Sequence, residues 1–171
     1  IAHSANLSDG DTAAAVADFT LEKFGRIDIL VNNAGHASKI RSVRWVQPDE
    51  WDSVFRINIE AVYRLTQACL PGMIERGEGT IITTSSMAAL TPGIVGGAPY
   101  SAAKAASYNF MRGVNSELRG LGIRASTIIP GEVDTPILEG RPAPPDAAAR
   151  ATMMQPADVA QAILFCATTP A

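Results

Sequence analysis

Charge of one sign, cysteine and long apolar runs are all scarce in this sequence, and each scarcity closes a route to function. Of 171 residues, 14 are Lys or Arg and 17 are Asp or Glu, giving a net charge of −3. No cationic run or stripe results, so a nucleic-acid backbone finds no electrostatic footprint here. Only two cysteines occur, Cys69 and Cys166. Each lies in an apolar, helix-like stretch and reads as a reduced core residue rather than half of a disulfide or metal pair. That usage suits a cytoplasmic protein, and no metal is expected. No apolar run approaches the ~20 residues that span a bilayer, and the start Ile1-Ala2-His3-Ser4 lacks the charged-then-apolar order of a signal peptide. A membrane is therefore not an expected partner.

What is present is a hydrophobic content of 47%, enough for one core and, at this length, one domain over 1–171. Residues 1–7 read as a strand. Ser8-Asp9-Gly10-Asp11 offers helix caps before an Ala-rich stretch that runs to Phe24, where Gly25 is placed to close the helix. Residues 27–31 form an apolar run fit for a strand buried on both faces. Pro48 suits the first turn of a helix with Val54, Ile57, Ala61 and Leu65 at helical spacing, which Pro71-Gly72 should interrupt. Residues 80–84 are β-branched and follow Gly79, hence a further strand. Pro99 opens a long helix carrying Ala102, Ala106, Phe110, Val114 and Leu118 on one face, closed by Gly120-Leu121-Gly122, and 123–129 is the next strand. Residues 136–150 hold four prolines and read as a linker or a lid, with Arg141 and Arg150 isolated and solvated. Pro156 starts a last amphipathic helix. Alternating strands and helices predict an α/β doubly wound parallel sheet in three layers.

The chemistry concentrates in Tyr100-Ser101-Ala102-Ala103-Lys104. Spacing of four sets both side chains on one helical face, where an ammonium beside a phenol favours the phenolate and tunes it for proton transfer. Alone, such a pair is also what an exposed helix face shows. Ser85-Ser86 follows directly after a strand, at the carboxyl edge where open α/β sheets bind ligands; strand-ending serines also satisfy backbone groups. Asn32-Asn33-Ala34-Gly35 follows another strand, and its small residues allow a flat ligand to approach the backbone, though such clusters also form ordinary turns. Gly120-Leu121-Gly122-Ile123-Arg124-Ala125 spells a dinucleotide-like pattern, but it leaves a helix and enters a strand, the reverse of a phosphate-binding context.

Taken in order, Asn32-Asn33-Ala34-Gly35, Asn58, Ser86, Tyr100 with Lys104, and Pro130-Gly131-Glu132-Val133-Asp134-Thr135 resemble the short-chain dehydrogenase/reductase family along essentially the whole chain. The resemblance implies a Rossmann-type fold and hydride transfer between NAD or NADP and a secondary alcohol or ketone, a small-molecule substrate. It implies that Tyr100 is the general acid/base, that Lys104 binds the nicotinamide ribose and lowers the tyrosine pKa, and that Ser86 orients the carbonyl. Asn58 would hold a relay water; without the resemblance it reads as a helix-interior Asn that kinks its helix. Asn33, Ala34 and Gly35 would line the adenosine side of the cofactor, Asn6 beside Leu7 would contact the adenine, and Val133 and Thr135 would contact the nicotinamide carboxamide. Asn32, Tyr100, Lys104, Pro130 and Gly131 complete the cofactor-binding set, although Pro130-Gly131 equally reads as a plain strand-ending turn. Residues 136–154 would be the substrate lid. A homodimer or homotetramer is implied, with Phe110, Met111 and Leu118 partly buried between subunits.

The sequence departs from the pattern in places. The family's glycine-rich phosphate loop and first two strands have no counterpart before Ile1, and the last strand none after the final helix, so a fragment is expected, with residues 1–7 unpaired and the other three strands contiguous. Ser86 to Tyr100 is one residue longer than the common spacing, with Gly93, Gly96 and Gly97 to absorb it. The competing reading keeps the fold without catalysis, as a binding or assembly module. Another doubly wound fold, such as a phospho-receiver, would have no need of the Tyr100 and Lys104 pair.

Overall fold

A computed structural model describes residues 1–169. Three parallel strands form its sheet in the order β1 (Ile29–Asn32), β2 (Gly79–Thr84), β3 (Ile123–Ile128). The register sets Val31 beside Ile82 and Ile82 beside Ser126. Parallel neighbours need long crossovers. Between β1 and β2 the chain runs through α2 (Pro48–Phe55), a π-helical turn (Arg56–Glu60) and α3 (Ala61–Arg76), and between β2 and β3 through α4 (Ala98–Leu118). Before the sheet stands α1 (Thr12–Phe24); after it come a short 3-10 turn (Pro136–Gly140), α5 (Ala147–Arg150) and α6 (Pro156–Thr168). The three strands are those the sequence predicts, with ends moved by one or two residues.

β2 is central and buried along nearly its whole length, which is why it reads as a continuous β-branched run. Ile81 packs with Val62, Cys69 and Met73 of α3 and with Met111, Val114 and Leu118 of α4 to form the main core. Ile82, on the opposite face, is equally buried. Gly122, in the left-handed region at φ 79°, turns the chain into β3, and any Cβ there would sit 1.8 Å from the Gly77 carbonyl oxygen.

The strand expected over residues 1–7 does not form, and β1 is not buried on both faces, since Ile29 and Val31 are exposed. Four further expectations need correction. First, α3 does not stop at Pro71-Gly72. The proline ring projects on the exposed side, while Met73, fully buried, holds the next turn against the sheet, and the helix ends only at left-handed Gly77. Second, the buried stripe of α4 is Ala103, Ser107, Met111, Val114 and Leu118, so Ala102, Ala106 and Phe110 are only half-buried at its border. Polar Ser101, Lys104 and Ser107 are buried on that stripe, which displaced the reading by one residue. Third, Met111 and Leu118 belong to the protomer's own core and so are not free to pack between subunits. Fourth, Arg141 and Arg150 are not isolated: Arg141 pairs with Glu132 at 2.7 Å, and Arg150 bridges Asp134 at 3.0 Å and Glu139.

Residues 1–6 form no strand and lie exposed, with His3 stacked on Phe19 at 4.1 Å. Among the described residues β1 pairs only with β2. The proline-rich stretch is a fastened excursion: Val133 and Met154 form a parallel bridge at its base, and Leu138 is buried. Cys69 is buried and Cys166 half-buried, both as free thiols. Among the described residues no helix is long and apolar enough to cross a membrane.

Candidate active site

The carboxyl ends of all three strands and the first turns of α4 converge on one cavity of about 710 Å³. Open α/β sheets offer their ligand crevice at this edge. Its polar side comes from Ser86, Tyr100 and Lys104, and its apolar side includes Ile137 and Leu138 of the proline-rich excursion and Val159 and Ile163 of α6.

Lys104 is one helical turn beyond Tyr100 and 4% exposed. Its Nζ donates to the Thr84 carbonyl at 2.8 Å and lies 5.7 Å from the Tyr100 ring centre. Burial pushes the ammonium down from 10.5 to about 8. Tyr100 is affected in the opposite sense: burial raises its phenol, and the Ser86 hydroxyl and the Arg41 charge pull it back without cancelling the rise. Arg41 is thus a cation that bears on the phenol, a part the sequence reading gave to Lys104 alone.

The two serines after β2 divide their work. Ser85 is buried and donates to the Lys104 carbonyl at 2.9 Å. Ser86 faces the cavity and its Oγ also accepts from Ala88 N–H at 3.2 Å, capping the 3-10 turn Met87–Ala89. Only Ser86 is therefore turned toward Tyr100.

Asn58 sits in the π-helical turn, almost fully buried. Its amide donates to Val54 O at 2.8 Å and His36 O at 2.7 Å, and its Oδ1 accepts from His36 N–H at 3.4 Å. The bond to Val54 is an Asn competing with the backbone one turn back, which favours the wider π-turn. The helix-interior reading describes this widened turn, and the same amide also fixes the loop after β1.

Of the proposed cofactor positions, Asn33, Gly35, Pro130, Gly131, Val133 and Thr135 line the cavity. A Cβ at Gly35 would lie 3.3 Å from Asn58 Oδ1 and 3.4 Å from Lys104 Nζ. Asn32 is buried beneath this shelf with its Oδ1 unpartnered, and Ala34 is exposed. Asn6 and Leu7 do not line the cavity; Asn6 Oδ1 instead accepts from Ser8 N–H and Oγ–H. A cradle that a Cβ would fill, an orphaned amide oxygen and a lysine with one acceptor for three donors make a polar, uncovered shelf that fits a nucleotide.

Arg41 was missed. No motif marks a lone arginine in a loop, and its partners lie 54 to 99 residues away in sequence. The nearest signal is Gly97, whose φ of 78° and lack of Cβ let the chain pass Arg41, where a Cβ would come within 2.8 Å of its backbone.

The short chain dehydrogenase family model matches residues 1–145. The chain belongs to the short-chain dehydrogenase family. The 3-oxoacyl-[acyl-carrier-protein] reductase of Thermotoga maritima is 35% identical over 95% of this chain and 68% of its own length. The 1-deoxy-11-beta-hydroxypentalenate dehydrogenase of Streptomyces exfoliatus is 36% identical over 82% of this chain and 52% of its own. Among solved structures, the 3-ketoacyl-(acyl-carrier-protein) reductase of Brucella melitensis, complexed with NADH, superposes with a TM-score of 0.87 at 30% identity, covering 97% of this chain and 70% of that one. A metagenomic short-chain oxidoreductase in complex with NADP gives 0.81 at 33% identity, covering 98% and 67%. This member of the short-chain dehydrogenase family thus spans between about half and seven tenths of the length of these proteins.

Proposed function

We propose that the chain forms the catalytic part of an NAD(P)-dependent oxidoreductase acting on a secondary alcohol or its ketone. The observation that carries this reading is the convergence of Tyr100, Ser86 and Lys104 on one cavity at the carboxyl edge of the sheet. In the reducing direction the Tyr100 hydroxyl gives its proton to the carbonyl oxygen, and in the oxidising direction the phenolate takes it back. Ser86 donates a hydrogen bond to that oxygen and holds it beside the phenol. When bound, a nicotinamide cofactor supplies or accepts the hydride.

Asn33, Gly35, Pro130, Gly131, Val133 and Thr135 are the residues that would hold the cofactor, with Asn32 and Ala34 shaping the shelf. Lys104 has two N–H groups left beyond its bond to Thr84, and these would hold ribose hydroxyls. Asn58 acts as a positioning residue. Its N–H pair is already spent on Val54 and His36, so a relay water would have only Oδ1 to bind. Residues 136–154 form the substrate lid over the apolar side of the cavity.

The experiment follows cofactor absorbance while the protein meets NADH or NADPH and a panel of ketones. Turnover is expected, and Tyr100→Phe should lower kcat by about 10² to 10⁴ while leaving cofactor affinity within about twofold. Cofactor binding without turnover on any ketone would instead favour a non-catalytic module of the same fold.

A further inference from the structure

Arg41 is the feature of the cleft that acid/base chemistry leaves unexplained. It is 8% exposed. Its Nη1 donates to the carbonyls of Val95 and of Gly96 (the latter at 3.3 Å), and its Nη2 to Gly140 O at 3.1 Å. Each partner is a neutral carbonyl. Among the described residues no carboxylate comes within ion-pair distance of Arg41, and Nε has no hydrogen-bond partner at all. A buried charge ordinarily has a counter-charge, because desolvation without one is costly. The second guanidinium on the cavity wall, Arg141, does have one, Glu132 at 2.7 Å. Of the two guanidiniums on this wall, Arg41 is thus the one without a counter-charge.

Its place relative to the reacting group is fixed by the loop it clamps. Arg41 O accepts from Ala98 N–H at 3.2 Å, two residues before Tyr100. The Gly96 carbonyl it binds belongs to a residue whose Cβ would lie 3.4 Å from Tyr100 Cδ1. Arg41 and Tyr100 thus line one cavity, close enough for the Arg41 charge to act on the phenol, a nearness that suits a group close to the reacting carbon rather than one far along a substrate chain.

We propose that Arg41 determines substrate specificity, selecting a ketone or alcohol that carries a carboxylate a few bonds from the reacting carbon. The proposal rests on the oxidoreductase reading for the reacting carbon and on the unpaired guanidinium for the carboxylate. Burial and the like charge of Arg141 both hold the Arg41 pKa below its ordinary value, as expected of a site that lacks its anion.

Two measurements separate those grounds. The first compares kcat/KM for a short 3-oxo acid and its methyl ester in the wild type, Arg41→Met and Arg41→Lys. The wild type should prefer the acid by at least tenfold, Arg41→Met should lose that preference, and Arg41→Lys should keep part of it. The second needs no turnover: butyrate against butyramide is titrated into the protein while its melting temperature is followed. Butyrate alone should stabilise the wild type, and neither should stabilise Arg41→Met. Melting shifts without turnover would remove the reductase reading and keep the carboxylate site. A wild type that treats acid and ester alike, or that responds equally to butyrate and butyramide, overturns the proposal even if Arg41→Met fails to fold.

Discussion

Replacing Lys104 with methionine should stabilise the protein at neutral pH while disabling the site. The ammonium is buried with one carbonyl acceptor and, among the described residues, no carboxylate in ion-pair range. Burial lowers its pKa from 10.5 to about 8. At about 1.4 kcal/mol per pH unit, holding the charged form inside costs the fold about 3 kcal/mol. Methionine fills a similar volume without charge but leaves the Thr84 carbonyl unpaired, an opposing cost of about 1 kcal/mol. The net expectation is a gain of about 2 kcal/mol at pH 7. The sign with pH follows from the two pKa values. Below about 8 both folded and unfolded lysines are protonated and the penalty is constant. Between about 8 and 10.5 the folded protein releases its proton first, so wild-type stability rises with pH and closes the gap. Above 10.5 the variant keeps only its unpaired carbonyl and becomes the weaker of the two. Urea denaturation of both proteins, without cofactor and in steps from about pH 6 to pH 11, reads this directly, because other titrating groups cancel in the difference. A variant less stable at pH 7, or a difference that stays flat from pH 8 to 10.5, would refute the reasoning.

Two further substitutions test how the site is supported. Asn58→Leu removes the donors to Val54 O and His36 O and the acceptor for His36 N–H; thermal unfolding should show a loss of about 2 to 4 kcal/mol, against little change if the π-turn is held by packing alone. Gly122→Ala combines a left-handed φ with a Cβ 1.8 Å from the Gly77 carbonyl oxygen, so soluble expression and cooperative melting should both be lost, and a variant melting within a few degrees of wild type would show that the β2–β3 edge can move.

Legibility in the sequence followed how local each physical cause is. β2 could be read because β-branched residues buried on both faces leave a plain run, β3 because Gly122 marks its start and the alternation of strand and helix calls for a strand there, and the end of α1 because Gly25 must adopt a left-handed φ of 76°. The end of α3 could not, because whether a proline stops a helix depends on what the next turn buries, and Met73 is buried by the sheet. The buried side of α4 was misread by one position because the stripe includes a lysine and two serines: Lys104 is satisfied by the Thr84 carbonyl of the sheet and Ser107 by its own helix, while the Ser101 hydroxyl has no partner. Tyr100, Ser86 and Lys104 could be named from order and spacing, since a helical turn and a strand end are local features. Arg41 depends on carbonyls from two distant segments, Val95-Gly96 and Gly140, and has no local signature.

Two buried serines, Ser107 of α4 and Ser85 after β2, show why the site and the misread face are the same fact. Ser85 Oγ and Ser107 Oγ both donate to the Lys104 carbonyl, at 2.9 and 3.0 Å. The backbone of Lys104 is thereby held from the strand side by Ser85 and from its own helix by Ser107, and its side chain crosses to Thr84 at the end of the same strand. A long lysine side chain otherwise has much rotamer freedom to lose. Fixing its carbonyl and its Nζ to the same strand end leaves that freedom already spent before any ligand arrives, so two of the ammonium's donors face the shelf in a set direction. An apolar stripe on α4 would pack more cheaply, but it would have nothing with which to aim Lys104.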